Sequence, residues 1–331
     1  MTKRLKQSYW RIVWRQFVKR RLCVAALALL AMLGLIALFA PFLAGDVPIH
    51  AIYQGKTYWF PNVIGYRDLV SVAFDEWEPA EDESAVWPLI QIAPDRSNLF
   101  NILQKPTSEH WLGTDNRGRD VLSRIIWGAR ISLTIGFVAV GISVTIGIIL
   151  GAIAGYYGGK VDAVILRLIE IMLCFPTLIF ILALIAFLPQ SIYNIMIAIG
   201  ITTWTGAARL VRGEFLILRE SDFATAARAT GLTDAQIIFR HLLPNALSPV
   251  LVNATFGVAG AILLESALSF LGFGVPPPTA SWGEILKQSK EYIDFAWWLV
   301  AFPGLAIFIT VTAFNLVGEG FRDAMDPRLR R

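Results

Sequence analysis

Residues Ser132–Tyr156 read SLTIGFVAVGISVTIGIILGAIAGY, 25 positions without one charged side chain. A helix crosses the hydrocarbon core of a bilayer in about 20 residues, satisfying its backbone N–H and C=O groups inside the segment. This run therefore reads as a membrane-spanning helix and sets the fold class, an all-α membrane protein. Five more runs read the same way: Leu22–Leu43, Leu168–Leu188, Ile192–Leu210, Ser248–Leu271 and Ala296–Val317. Six transmembrane helices are expected. The composition of the 331-residue chain agrees, because 56% hydrophobic against 16% charged residues is too apolar for a water-soluble domain.

Working outward, Lys3, Arg4, Lys6, Arg11, Arg15, Lys19, Arg20 and Arg21 precede the first span with no acidic residue among them. Such an excess marks the cytoplasmic side, and an even number of spans returns the C-terminus there. Arg322, Arg328, Arg330 and Arg331 agree, as do Arg209, Arg212, Arg219, Arg228 and Arg240. Arg117, Arg119, Arg124 and Arg130 oppose this topology from the external side, partly offset by Asp115 and Asp120. Tyr9, Trp10, Val13, Trp14, Phe17 and Val18 share one helical face, the pattern of an elbow helix in the headgroup plane. A cleaved signal peptide is the rival reading of residues 1–44, but the apolar stretch exceeds the usual 7–15 residues or so. The expected domains are a tail and elbow helix over 1–21, a first span over 22–43, an external insert over 44–131 and a five-helix core over 132–331.

The net charge of +4 sits on membrane flanks, which argues topology rather than nucleic-acid binding. Cys23 and Cys174 are far apart, and His50, His110 and His241 are scattered, so neither a disulfide framework nor a metal site is indicated. Gly158-Gly159-Lys160 falls short of a phosphate-binding loop, with Ala154 where a Gly is needed and Val161 where Ser or Thr would hold magnesium. No catalytic residue, cofactor or metal is assigned, and the chain reads as a non-enzyme.

The connection Gly213–Asn245 is polar, helix-prone and rich in small residues. Asp222 is expected to cap a helix through Ala229, Gly231 to stop it, and Thr233 or Asp234 to start a second helix ending before Pro244. Alanines at 226, 227 and 229 permit close approach of another protein, and Arg228 and Arg240 offer charge-assisted contacts.

Thr225-Ala226-Ala227, then Gly231, then Leu243-Pro244 resemble the EAA loop of binding-protein-dependent ABC importer permeases. The chain departs from that pattern at Thr225, where Glu is usual, and at His241, where Ile is frequent; the first departure removes a Glu-specific contact. Trp111-Leu112-Gly113-Thr114-Asp115, Gly118-Arg119-Asp120-Val121-Leu122, Gly128–Leu133, Phe270–Gly274 and Arg322–Pro327 are similar to the second membrane subunit of oligopeptide and dipeptide importers. The resemblance covers nearly all of residues 110–331 and is weaker before. Tyr58-Trp59-Phe60-Pro61 is similar to the subgroup importing oligopeptides and the peptide antibiotic microcin C. The resemblance implies the type I importer permease fold and peptide import through a bacterial plasma (inner) membrane. It implies a second permease, one or two ATPase subunits carrying ATP and Mg, and an external substrate-binding protein as partners. It also implies that Thr225, Ala226, Ala227, Arg228, Gly231, Leu243 and Pro244, within a coupling loop over 213–247, meet the ATPase.

Within the spans, Ser143, Gly147, Gly151 and Gly155 recur every four residues as a smooth face for helix packing or a pore flank. Pro176 and Pro303 are expected to interrupt spans three and six. Glu265, an ionisable group inside span five, is expected with Asn253 to line the translocation path or else to pair with a neighbouring helix. The external segment mixes Asp75, Glu76, Glu78, Glu81, Asp82 and Glu83 with Tyr53, Tyr58, Trp59, Phe60, Trp77 and Trp87; it either rests on headgroups or seats the binding protein. An ion-coupled secondary transporter is the alternative from another class; it calls for ionisable residues deep in several spans. A membrane enzyme would need converging His, Asp or Ser residues, and the sequence offers none.

Overall fold

The protein is described by a computed structural model covering residues 9–325, except Ser71, Asp75, Glu76, Glu78, Pro79 and Glu81, with Tyr9 and Trp10 described by backbone alone. Lys3, Arg4, Lys6, the tail arginines from 328 onward, Asp326-Pro327 and four of the external acidic residues thus lie outside the described residues.

In chain order the elements are α1 Tyr9–Val18, α2 Arg21–Leu38, α3 Ala40–Leu43, β1 His50–Tyr53, β2 Lys56–Trp59, β3 Ser84–Val86, α4 Val121–Tyr157, α5 Gly159–Cys174, α6 Thr177–Ala186, α7 Ile192–Leu218, α8 Asp222–Ala229, α9 Asp234–Ile237, α10 Leu243–Phe270, α11 Trp282–Gln288 and α12 Trp298–Met325. Among the described residues four helical stretches are long and apolar enough to cross a membrane: Arg21–Leu38, Val121–Tyr157, Asp234–Phe270 and Trp298–Met325. The pair α5 and α6, bent by 86°, raises the number to five if it forms one span. The expected count of six is not reached by length and apolarity alone. The remaining helix, α7, has 27 residues but carries Asn194, Thr202, Thr203, Thr205, Arg209, Arg212 and Glu214.

Several boundaries move for local reasons. The helix that carries span two starts at Val121, ahead of Ser132, because the Asp120 carboxylate accepts the Ser123 N–H at 2.8 Å and caps it. Pro176 breaks its span as expected: Phe175 ahead of it is extended, which proline imposes on its predecessor. Pro303 breaks nothing, and α12 runs through it. It sits in the second turn and removes one backbone donor, while the rest of the ladder is kept. The insert is a small antiparallel sheet in the order β2-β1-β3, with His50 opposite Trp59 and Val86.

The chain forms two compact units. One comprises Met1–Leu30, Ile135–Leu264 and Ile309–Arg331. In it Val13 and Phe17 of α1 are buried with Cys23 and Ala26 of α2 and Ala313, Val317 and Ala324 of α12, and Arg20 pairs with Asp323. The other comprises Ala31–Thr134 and Glu265–Phe308. Val121, Ile285, Ala296, Trp298 and Leu299 make one of its cores; Tyr58, Leu69 and Phe74 make another under the sheet.

Candidate coupling and translocation sites

The connection after α7 folds as two short helices with well-defined ends. Ser221 precedes α8 without a side-chain cap, so Asp222 is its first residue rather than its cap, and the carboxylate there faces the positive end of the helix dipole. The helix ends where Gly231 takes φ +78°; its N–H donates to Arg228 O at 3.0 Å and the Leu232 N–H to Ala227 O at 3.3 Å. This paired closure requires a left-handed residue, which glycine adopts without steric cost. Thr233 then caps α9 reciprocally, its hydroxyl accepting the Gln236 N–H while Gln236 Oε1 accepts the Thr233 N–H at 3.0 Å.

The second helix does not end before Pro244. A π-helical turn over Ile238–Leu242 leads directly into α10, with the Leu243 N–H donating to Ile238 O. The widened turn sits where a proline would otherwise leave the ordinary ladder broken, so the chain enters the span without a loop.

Ala224, Ala227, Ile237, Leu242 and Ala246 are buried against Ala152, Val211 and Phe215. The Tyr156 hydroxyl donates to Asp234 Oδ1 at 2.6 Å, and Arg228 Nη2 donates to Arg219 O at 2.9 Å. Arg212 grips Asp162 through both Nε and Nη2. Of the expected coupling residues, Thr225, Ala226, Arg228, Gly231 and Pro244 are exposed and Leu243 is half-buried. Ala227 faces inward, and its small side chain seats α8 on its own core.

The face expected on span two packs against α7. A Cβ added at Gly147, Gly151 or Gly155 would lie 2.5 Å from Ala207 Cβ, Ala208 O or Phe215 Cβ respectively. Ser143 instead lines a cavity of about 310 Å³ with Val140, Thr203, Gly206, Gly260 and Asn253. Asn253 therefore faces open space between α4, α7 and α10.

Glu265 is fully buried. Its Oε1 accepts hydroxyls from Ser269 and Ser281 at 2.8 Å each, and Ser132 Oγ lies 3.5 Å from Oε2. Ser281 and Ser132 also accept the Glu284 and Trp282 N–H groups, so the carboxylate organises the first turn of α11. It does not line the cavity that Asn253 lines.

The arginines that opposed the topology include two that are not surface charges. Asp115 Oδ1 accepts the N–H groups of Arg117 and Arg119, and its Oδ2 accepts Arg119 Nε at 2.8 Å. Arg124, fully buried, pairs with Glu284, donates to Pro94 O at 3.0 Å and places Nε 3.5 Å from Asp115 Oδ2. Gly118, at φ +69°, passes so close to Asn98 that a Cβ would lie 1.8 Å from its carbonyl oxygen. His110 Nδ1 lies 2.9 Å from Asp120 Oδ1. The sequence reading missed Glu284; its signal was Ser281-x-x-Glu284 ahead of an apolar helix, the spacing of a cap.

A family model described as "Binding-protein-dependent transport system inner membrane component" matches residues 147–331. The chain belongs to that family. A second model, the "N-terminal TM domain of oligopeptide transport permease C", matches residues 8–56. The dipeptide transport system permease protein DppC of Alkalihalophilus pseudofirmus is 38% identical over 98% of this chain and 91% of its own length. The oligopeptide transport system permease protein OppC of Haemophilus influenzae is 36% identical over 98% and 90%. Similarity therefore extends through the N-terminal third, beyond the expected 110–331. An inward-facing structure of the MetNI methionine ABC transporter shares 21% identity over 62% of this chain and 96% of that one, with a TM-score of 0.50, and shows the same fold. Members of this inner membrane component family are ABC transporter permeases, so the ion-coupled secondary transporter considered as the alternative is not supported.

Proposed function

We propose that the chain is one of the two permeases of an importer that carries di- or oligopeptides into the cytoplasm, and that α8 and α9 pass the work of a partner ATPase into the spans. The observation carrying this reading is the rigid closure of the α8–α9 turn. Gly231, the Thr233–Gln236 cap and the Tyr156–Asp234 bond tie it to α4, and the π-helical turn runs it into α10 without slack. A push on Thr225, Ala226, Arg228, Gly231 or Pro244 is then a push on the spans. Leu243 and Ala227 act beneath that surface, holding α8 and α10 to their common core. Asn253 and its cavity are the candidate path, whereas Glu265 has a structural part, fixing the start of α11.

In this reading both termini and the 213–247 loop are cytoplasmic, the 44–131 insert is extracytoplasmic, and the membrane is the bacterial inner membrane. ATP and Mg are bound by one or two ATPase subunits, and an extracytoplasmic binding protein delivers the peptide. Names of the relatives, which include dipeptide and oligopeptide permeases, support the substrate class. The test is uptake of labelled di- and oligopeptides by cells carrying Gly231→Glu, with membrane insertion and co-purifying subunits measured in parallel. Normal insertion with lost uptake and lost ATPase retention supports the reading; normal ATP-driven uptake overturns it.

A further inference from the structure

From Thr57 to Tyr66 the chain reads TYWFPNVIGY with no charged side chain, while Lys56 and Arg67-Asp68 bracket it. The middle of this stretch is a tight turn: the Val63 and Ile64 N–H groups both donate to Phe60 O, at 3.0 and 2.8 Å. Phe60 itself holds φ +55°, a conformation that costs a side-chain-bearing residue on the order of 1 kcal/mol and persists only where the surroundings impose it. The turn presents Trp59, Phe60, Val63 and Ile64 outward, 61%, 45%, 58% and 47% exposed. A soluble surface rarely gathers that much apolar area at one loop tip.

The turn is anchored to the end of a span. Phe60 meets Phe42 edge-on with ring centroids 5.8 Å apart, Phe42 meets Phe39 in the same way at 5.9 Å, and Asn62 Nδ2 donates to Pro41 O at 2.8 Å. Phe39 and, on α2 before it, Met32, Leu35 and Leu38 are also exposed, and α2 is long and apolar enough to cross a membrane. The apolar strip of α2 thus continues through Phe39 into the turn without a polar break. The polar end of the hairpin, with Gln54 and the Lys56–Asp68 pair, points the other way along β1 and β2, roughly 13 Å for four residues at about 3.3 Å each.

We propose that the Trp59–Ile64 turn is a membrane finger: its side chains enter the bilayer interface beside the end of α2 and fix the insert's position on the lipid surface. Lipid is the occupant because the exposed patch is continuous with the lipid-facing strip of the span, and because an aromatic pair with aliphatic neighbours and no charge suits the headgroup boundary.

The test uses the full-length protein with Cys174→Ser, in nanodiscs of phosphatidylethanolamine and phosphatidylglycerol. A single added cysteine at Val63, Ile64 or Gln54 carries an environment-sensitive fluorophore. Doxyl-labelled lipid is expected to quench the labels at Val63 and Ile64 at least about twofold more than the label at Gln54, with iodide quenching in the reverse order. Equal iodide access at all three positions with no lipid quenching would overturn the proposal. So would protection from iodide without lipid quenching at Val63 and Ile64, which would mean that protein covers the turn. Two independent tip positions keep the result readable if one variant misfolds.

Discussion

Two parts of this molecule solve the packing problem in opposite ways. Along α4 and α7, Gly147, Gly151 and Gly155 bring two backbones together so closely that any added Cβ would sit 2.5 Å from the opposite helix. Around residues 113–124 and 281–289 the contacts are polar: Asp115, Arg119, Arg124 and Glu284 are buried with charges paired, and Glu265 is wrapped by hydroxyls. Lipid supplies no hydrophobic drive between helices, so close van der Waals contact between small residues does that work in the first region. In the second, buried charges lock α11 against the start of α4 with directional bonds. The first arrangement is held by shape, the second by the direction of its charged bonds.

That contrast predicts where substitution hurts most. Arg124→Met should be the most damaging single change, because it strands Glu284 without its partner and leaves Asp115 with only one arginine. Breaking a buried pair from one side costs about 3–5 kcal/mol, whereas replacing both partners by apolar groups is often near neutral. Thermal denaturation of the purified protein, followed by gel filtration, should show a large fall for Arg124→Met and recovery of at least half of it in Arg124→Met with Glu284→Met. A double variant as unstable as the single one would break the claim that pairing, rather than packing, sets the cost.

Next comes the glycine face. Gly151→Ala places a methyl 2.5 Å from Ala208 O, a backbone atom that cannot step aside, so the helices must separate at a cost of about 1–3 kcal/mol. Gly141 on the same helix has nothing within 4 Å of the position a methyl would take, and Gly141→Ala should change stability by less than about 1 kcal/mol. The same denaturation assay separates the two; equal effects would remove the distinction between contact and open faces of α4.

The glycine face was legible in the sequence because helical spacing of small residues is a local, periodic pattern. The turn between α8 and α9 was legible for the same reason: Gly231 and Thr233 announce a stop and a start. The polar lock was not. Arg124 and Glu284 are 160 positions apart, and on the sequence Arg119 and Arg124 count only as positive charges near a span, which is why they opposed the topology. Glu265 stood out as a carboxylate inside a span, but its serine partners come from three places in the chain. The start of α4 at Val121, eleven residues ahead of the charge-free run, was hidden because a paired, buried arginine looks like a boundary when composition is read alone. Proline gave mixed guidance: Pro176 breaks a helix where Phe175 is free to extend, while Pro244, entering from a π-helical turn, and Pro303 lie within continuous helix.

A smaller effect sharpens the picture at the turn between α8 and α9. Gly231 has open space around it but a left-handed backbone, so Gly231→Ala should cost about 1 kcal/mol through conformation alone. Limited proteolysis between α8 and α9 should accelerate several-fold relative to Gly213→Ala, a helical position also in open space but without positive φ. Unchanged cleavage would show that the Thr233 cap and the Tyr156–Asp234 bond hold the turn unaided.

The smallest effect belongs to the exposed counterpart of the buried lock. Lys56 Nζ lies 3.1 Å from Asp68 Oδ2 on the surface of the insert, and the lysine holds the Asp68 carboxyl below its ordinary range while its own ammonium is held up. Asp68 thus binds its proton more weakly folded than unfolded. Its contribution is present above the unfolded value, near 3.9, and is lost as pH falls through the lower folded value. For Lys56 the contribution is present below its unfolded value, near 10.4, and disappears as pH rises through the raised folded one. The pair therefore acts across the whole neutral range. The difference in denaturation midpoint between wild type and Asp68→Asn should be small at pH 7, shrink further in high salt and disappear in acid once the pH falls below the lowered folded-state value of Asp68. A difference that survives both salt and acid would mean that Asp68 acts through its bond to the Tyr58 hydroxyl, 3.2 Å away, and not through charge.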